Sequence, residues 1–173
     1  MRFNDCLAII LKFEGKPSDI PGDRGGPTAL GITQGTYDTY RMAIHLPLQP
    51  VRSIGNDEAR GIYKRQYFDA VRAATLPEPL DLVMFDSAVQ HGPRQAIKFL
   101  QHALGIPADG VLGPMTAKAL NEEAVAEALH EVWTDVIDQR RVFYNELATR
   151  VGQAKFLKGW LNRIDKLKIL CES

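Results

Sequence analysis

The sequence predicts one mainly α domain with a small β-hairpin near its N-terminus. Three observations carry that prediction. From about Asn56 onward, apolar residues recur at helical spacing in segment after segment, each bounded by Asn, Pro or Gly. Residues 16–36 break this pattern and hold five of the 14 glycines and three of the ten prolines, a composition of loop and tight turn. The chain has 173 residues, 45% hydrophobic and 24% charged, which is enough for a core without a disulfide scaffold and unlike disordered, collagenous or coiled-coil sequences.

The first element is an amphipathic helix. Phe3, Cys6, Leu7, Ile10 and Leu11 form its apolar stripe, Asn4 or Asp5 is placed to cap its start, and Gly15 its end. In the hairpin that follows, Leu30 to Thr33 is one candidate strand. Asn56 is placed to cap DEARGIYKRQYFDAV; Pro79 opens LDLVMFDSAVQH, which Gly92 ends; Pro93 opens RQAIKFLQHAL, which Gly105 ends. After the turn ADGVLGP comes a short helix at Met115–Leu120. A long helix then carries Val125, Leu129, Val132, Trp133, Val136, Ile137, Phe143, Tyr144 and Leu147, and a last one Phe156, Leu157, Trp160, Leu161, Ile164 and Leu167. There is no repeat and no low-complexity segment.

Lys and Arg total 21 and so do Asp and Glu, so no long-range attraction to nucleic acid or anionic lipid is built into the whole chain. Residues 133–173 are mildly basic, with 8 basic and 5 acidic groups, after a mildly acidic body. Their lysines and Arg163 read as a solvated helix face or as a weak attraction for an anionic wall polymer. Two cysteines, Cys6 and Cys171, are too few for a secreted disulfide framework. They are expected as buried free thiols, or as one clasp in an oxidising compartment. MRFNDCLAIILKFEG is interrupted by polar residues and has no small-residue cleavage site, so no signal peptide is expected, and no stretch reaches transmembrane length.

Glu14 is the most informative residue. It falls on the apolar stripe, four after Ile10, and at the C-terminal end of its helix. Burial and helix dipole would both raise its pKa, as a general acid requires; the bland alternative is a half-exposed terminal Glu. Asp23 sits in the turn Gly22-Asp23-Arg24-Gly25-Gly26, where backbone amides and water would keep it ionised. Two carboxyls shifted in opposite directions are the usual pair for glycoside hydrolysis. Thr28 supplies a hydroxyl that can hold a water near Asp23. Taken singly, Asp23 is a plain turn residue and Thr28 a strand residue.

Competing motifs fail. Ile32 stands where a phosphate loop needs its lysine, and His130-Glu131 lacks a second histidine at position 134. His45, His91 and His102 have no metal-ligand spacing, no serine has nucleophile-elbow glycines, and Cys6 has no nearby histidine. Tyr37, Tyr40, Tyr63, Tyr67 and Phe68 suit either sugar rings or the core.

Phe13-Glu14-Gly15, Gly22-Asp23-Arg24-Gly25-Gly26-Pro27-Thr28 and Leu30-Gly31-Ile32-Thr33 together resemble glycoside hydrolase family 108, bacterial and phage N-acetylmuramidases. The resemblance continues through Ala59, Ile62-Tyr63, Tyr67 and Phe85-Asp86-Ser87-Ala88-Val89-Gln90-His91-Gly92. Phe99-Leu100-Gln101, Asp109-Gly110-Val111-Leu112-Gly113-Pro114, Thr116 and Phe156-Leu157-Lys158-Gly159-Trp160-Leu161-Asn162-Arg163 extend it over nearly the whole chain.

The resemblance implies a lysozyme-like helical fold that cleaves the β-1,4 bond between N-acetylmuramic acid and N-acetylglucosamine. It implies one domain over 1–173, with 1–92 as the catalytic part and 93–173 as a peptidoglycan-binding helical part packed on it. Glu14 matches the family's acid. Asp23 is carried over as the carboxylate that orients water or supports positive charge on the sugar, and Thr28 as the third member, an order similar to the Glu–Asp–Thr of phage lysozymes. Thr33, Tyr67 and Gln90 are the implied substrate contacts. No metal or cofactor is implied; the partner is the glycan strand of peptidoglycan, with no nucleic acid and no stable membrane insertion, and a monomer is expected. The chain departs from the family at Lys16-Pro17, and a lysine beside Glu14 lowers an acid's pKa. A lytic transglycosylase and a binding protein without catalysis are the rival readings. A cytoplasmic product acting on the wall needs holin release or injection by a secretion system, the latter with an immunity protein.

Overall fold

The computed structural model describes residues 3–14, 28–121 and 128–173, with Glu14 described by its backbone alone. Gly15, Lys16, the glycine-rich turn around Asp23, and Val125 lie outside the described residues. The chain forms two compact units, Arg2–Gln66 and Tyr67–Ser173. Among the described residues it is mostly helical, with one two-stranded sheet.

In the unit Arg2–Gln66, helix α1 (Phe3–Glu14) buries Cys6, Leu7 and Ile10, as the 3.6-residue period demands, but leaves Leu11 41% exposed. The helix already includes Phe3, so Asn4 and Asp5 lie inside its first turn rather than capping it. Asp5 there complements the positive helix end. Strands β1 (Thr28–Ala29) and β2 (Ile32–Thr33) pair antiparallel, Thr28 opposite Thr33 and Ala29 opposite Ile32. This register makes Leu30-Gly31 the turn, not half of a strand: both have positive φ, 51° and 74°, the geometry of a two-residue hairpin loop. The Leu30 carbonyl accepts from the Tyr63 hydroxyl at 3.0 Å.

Helix α2 (Gln34–Ala43) follows at once, capped by the Thr33 side chain, which accepts from the Thr36 N–H at 3.3 Å. Arg41 and Tyr37 reach across to Glu58, Tyr37 donating at 2.7 Å, and Gln34 holds the next segment through the Gln49 carbonyl and the Val51 N–H. Helix α3 spans Asn56–Ile62 and continues as a π-helical stretch, Tyr63–Phe68. Asn56 is its first residue and Gly55 its cap, and the single long helix expected to Val71 widens after about two turns. Gly61 is where Tyr40 crosses: a Cβ there would lie 2.5 Å from the Tyr40 hydroxyl oxygen.

In the unit Tyr67–Ser173, α4 (Leu80–His91) is buried at every position from Leu80 to Ala88. Such a helix must be central, and α5 (Pro93–Ala103) and α7 (Leu129–Ala148) pack against it. Helix α6 (Pro114–Leu120) lies between those two in sequence, and α8 (Leu157–Cys171) packs on α7. The prolines and glycines bound α4 and α5 as expected, with Pro79 before, Gly92 between, and Gly105 after.

The Asp109–Thr116 stretch is a clasp. The Gln101 amide donates to Asp109 Oδ1 at 2.7 Å, to the Val111 carbonyl at 3.1 Å and to Thr116 Oγ1 at 3.1 Å, while its oxygen accepts from the Gly110 N–H at 2.8 Å. Gly110 has φ +78°, and a Cβ there would sit 2.6 Å from Arg94 Cγ and 3.0 Å from the Arg94 carbonyl. Only glycine fits. Among the described residues no helix is long and apolar enough to cross a membrane.

Candidate functional site

Glu14 is the last residue of α1. Asp23 lies outside the described residues. Thr28 opens β1, half-buried, directly opposite Thr33. The hairpin therefore sets two threonine hydroxyls side by side in the same unit as Glu14. Of these, Thr33 is engaged in the helix cap and in a 3.0 Å contact with Thr36 Oγ1; its structural task is to orient α2. Tyr67 and Gln90 belong to the other unit, half-buried, in the π-helical stretch and at the end of α4.

The aromatic cluster divides. Tyr37, Tyr63 and Phe68 are fully buried, Phe68 edge-on to Phe85 at 5.2 Å, and act as core. Tyr40 and Tyr67 keep part of their rings at the surface.

Sequence reading missed a buried ion cluster in the unit Tyr67–Ser173. Asp86 is completely buried on α4 and held between two guanidiniums. Arg140 Nη2 donates to Oδ2 at 2.6 Å, and Arg163 donates to Oδ1 from Nε at 3.1 Å and from Nη2 at 2.7 Å. Burial alone would raise the carboxyl's pKa, but the charges and hydrogen bonds of Arg140 and Arg163 outweigh it and hold Asp86 below the usual carboxylate range. Asp86 is thus ionised and cannot serve as a proton donor. Arg163, expected on a solvated face, is instead nine-tenths buried in this clamp. The one local signal was an aspartate in the middle of an apolar helix.

His91, on the same helix, packs edge-on against Phe99 and Phe143 at 5.2 and 5.1 Å and tilts against Tyr144 at 4.8 Å. Burial, reinforced by the Arg140 charge, drops its pKa to about 3. Folded His91 is neutral, whereas in the unfolded chain it binds a proton near pH 6.5. Between these values the unfolded state holds more protons, so stability falls as pH falls, by up to about 1.4 kcal/mol per pH unit. Urea titrations should show wild type losing about 2 kcal/mol from pH 7 to pH 5, and His91→Phe, which suits the ring box, flattening that loss. Equal slopes in both proteins would acquit His91.

An open cleft of about 270 Å³ lies among Val71, Arg72, Leu76, Leu112, Ala117 and Asn121. Among the described residues that line it there is no carboxylate. Among the described residues no three His, Cys, Asp or Glu side chains group as metal ligands. Both cysteines are free, Cys6 buried and Cys171 half-buried, its thiol pushed up to about 12 by burial and by the Asp86 charge.

Comparison with known proteins bears on both units. Residues 7–92 match the family model described as Glycosyl hydrolase 108, and residues 95–165 match a Predicted Peptidoglycan domain. Among solved structures, that of Brucella abortus SagA is similar over 98% of this chain and 92% of that one, with 27% identity and a TM-score of 0.81. No curated protein sequence matches.

Proposed function

We propose that this chain, a member of the glycosyl hydrolase 108 family with a predicted peptidoglycan domain behind it, is an N-acetylmuramidase with Glu14 as its general acid. Membership makes it a glycoside hydrolase, and the domain over 95–165 makes peptidoglycan its polymer; the proposal adds the bond and the residues. The observation that carries it is the place of Glu14 as the final residue of α1, within the matched stretch and in the unit that holds the Thr28–Thr33 hairpin.

Glu14 protonates the oxygen between N-acetylmuramic acid and N-acetylglucosamine as the bond lengthens. Asp23, nine residues on, meets the positive charge that develops on the sugar ring or directs the attacking water, and Thr28 helps to hold that water. The reaction requires Glu14 to arrive protonated and Asp23 ionised. Thr33 acts indirectly, through its cap on α2. Tyr67 and Gln90 are the sugar contacts of the unit Tyr67–Ser173.

Digestion of purified peptidoglycan with mass spectrometry of the soluble fragments tests the bond. Reducing muramic ends are expected. Anhydro-muramic ends would make the enzyme a lytic transglycosylase, and retention on the wall with no fragments released would make it a binding protein.

A further inference from the structure

We propose that Lys155, Phe156, Gly159 and Trp160 form a stacking platform on which the unit Tyr67–Ser173 grips a glycan strand of peptidoglycan. The inference rests on peptidoglycan being the polymer this chain acts on.

Three rings climb from the core to the surface. Tyr144, on α7, is 3% exposed; Trp160, on α8, lies nearly parallel to it, 4.9 Å away at 15°, and is half-buried. Phe156, one turn before Trp160, tilts against it at 5.8 Å and 33° and is 37% exposed. The outer ring is thus held by a ring that is itself braced on the core. A fixed aromatic face loses little freedom when the C–H face of a pyranose settles on it.

Gly159 is the second observation. It lies within α8, three residues after Phe156 and next to Trp160, and among the described residues a Cβ there would meet nothing within 4 Å. Its φ is not in the left-handed region. The fold therefore has no need of glycine here, and glycine in a helix costs up to about 1 kcal/mol relative to alanine. What glycine does is leave the helix surface beside the rings bare, so that a ligand can lie flat against it.

Lys155 is the third. Its ammonium sits over the Phe156 ring, 4.9 Å from the centroid. A sugar ring taking that face displaces a flexible cation, which then meets the carboxylates of the muramyl peptide. Exposed Lys158 and Lys166 on the same helix keep the local charge positive. An apolar ring, an open helix face and a mobile cation answer the three chemistries of peptidoglycan: sugar face, flat strand and acidic stem.

The test is co-sedimentation of the full chain with purified sacculi, all proteins carrying Glu14→Gln so that the polymer is not consumed. Phe156→Ala is expected to weaken binding about tenfold. Gly159→Leu is the sharper variant: leucine favours the helix and its Cβ meets nothing within 4 Å among the described residues, so thermal stability should hold or rise while binding falls about as far. If both variants sediment like their parent, the platform is overturned and the peptidoglycan reading stands. If the parent itself fails to sediment, or goes with phosphatidylglycerol vesicles and not with sacculi, both fall.

Discussion

Glu14→Gln is expected to slow solubilisation of peptidoglycan by about 10²–10⁴-fold, the range that a positioned general acid supplies. Glutamine keeps the size and the hydrogen-bonding oxygen of the glutamate and lacks only the proton that the leaving sugar requires. Glu14 closes α1 instead of filling its interior, and the residues that seat the helix, Cys6, Leu7 and Ile10, are untouched. The circular dichroism spectrum and the melting temperature should therefore match wild type. Turbidity of a peptidoglycan suspension measures the rate. Residual lysis within a few-fold of wild type would remove Glu14 from the acid's role and leave the bond assignment to the fragment masses.

The second large effect is on stability. Asp86→Asn should cost about 3–5 kcal/mol, because it leaves two guanidiniums facing each other in a dry interior with no charge between them. Arg140→Met should cost much less, since Asp86 keeps the two-pronged grip of Arg163. The order of the two variants is the informative part: a wall of simple packing would penalise the larger truncation at Arg140 more. Because the folded carboxyl's pKa is lowered, its contribution is full above the ordinary value of 3.8 and is lost as pH falls through the still lower folded value. The gap between wild type and Asp86→Asn in urea titrations should thus be wide at pH 6 and close in strong acid. A cost below about 1 kcal/mol for Asp86→Asn at pH 6 would mean that the clamp contributes little to holding α4, α7 and α8 together.

What was legible beforehand follows from how far apart in the chain the deciding contacts lie. Helices α4, α5, α7 and α8 announce themselves through apolar period and through Pro and Gly at their ends, all local signals. Helix α2 did not, because Gln34–Ala43 has few apolar positions and its start depends on Thr33, which also ends a strand. The π-helical stretch had no local mark either; Tyr63 reaches back 33 residues to the Leu30 carbonyl, a constraint invisible to periodicity. The Asp86 clamp joins residues 54 and 77 apart. Of the candidate site, the helix end at Glu14 and the hairpin at Thr28 were readable from pattern, although the hairpin's inner two residues proved to be its turn. Thr33 drew notice as a sugar contact, while its hydroxyl is bound up in a helix start that could be seen only once the helix itself was seen.

The two thiols have a practical consequence. Disulfide exchange and alkylation run through the thiolate, and a thiol whose pKa has climbed from 9.0 to about 12 presents about a thousandth of the usual thiolate at neutral pH. Cys6 is shut away altogether inside the stripe of α1. The folded protein should accordingly be handled in air without reductant, neither cross-linking between molecules nor taking up glutathione, and a maleimide label placed on an added surface cysteine would report that site alone.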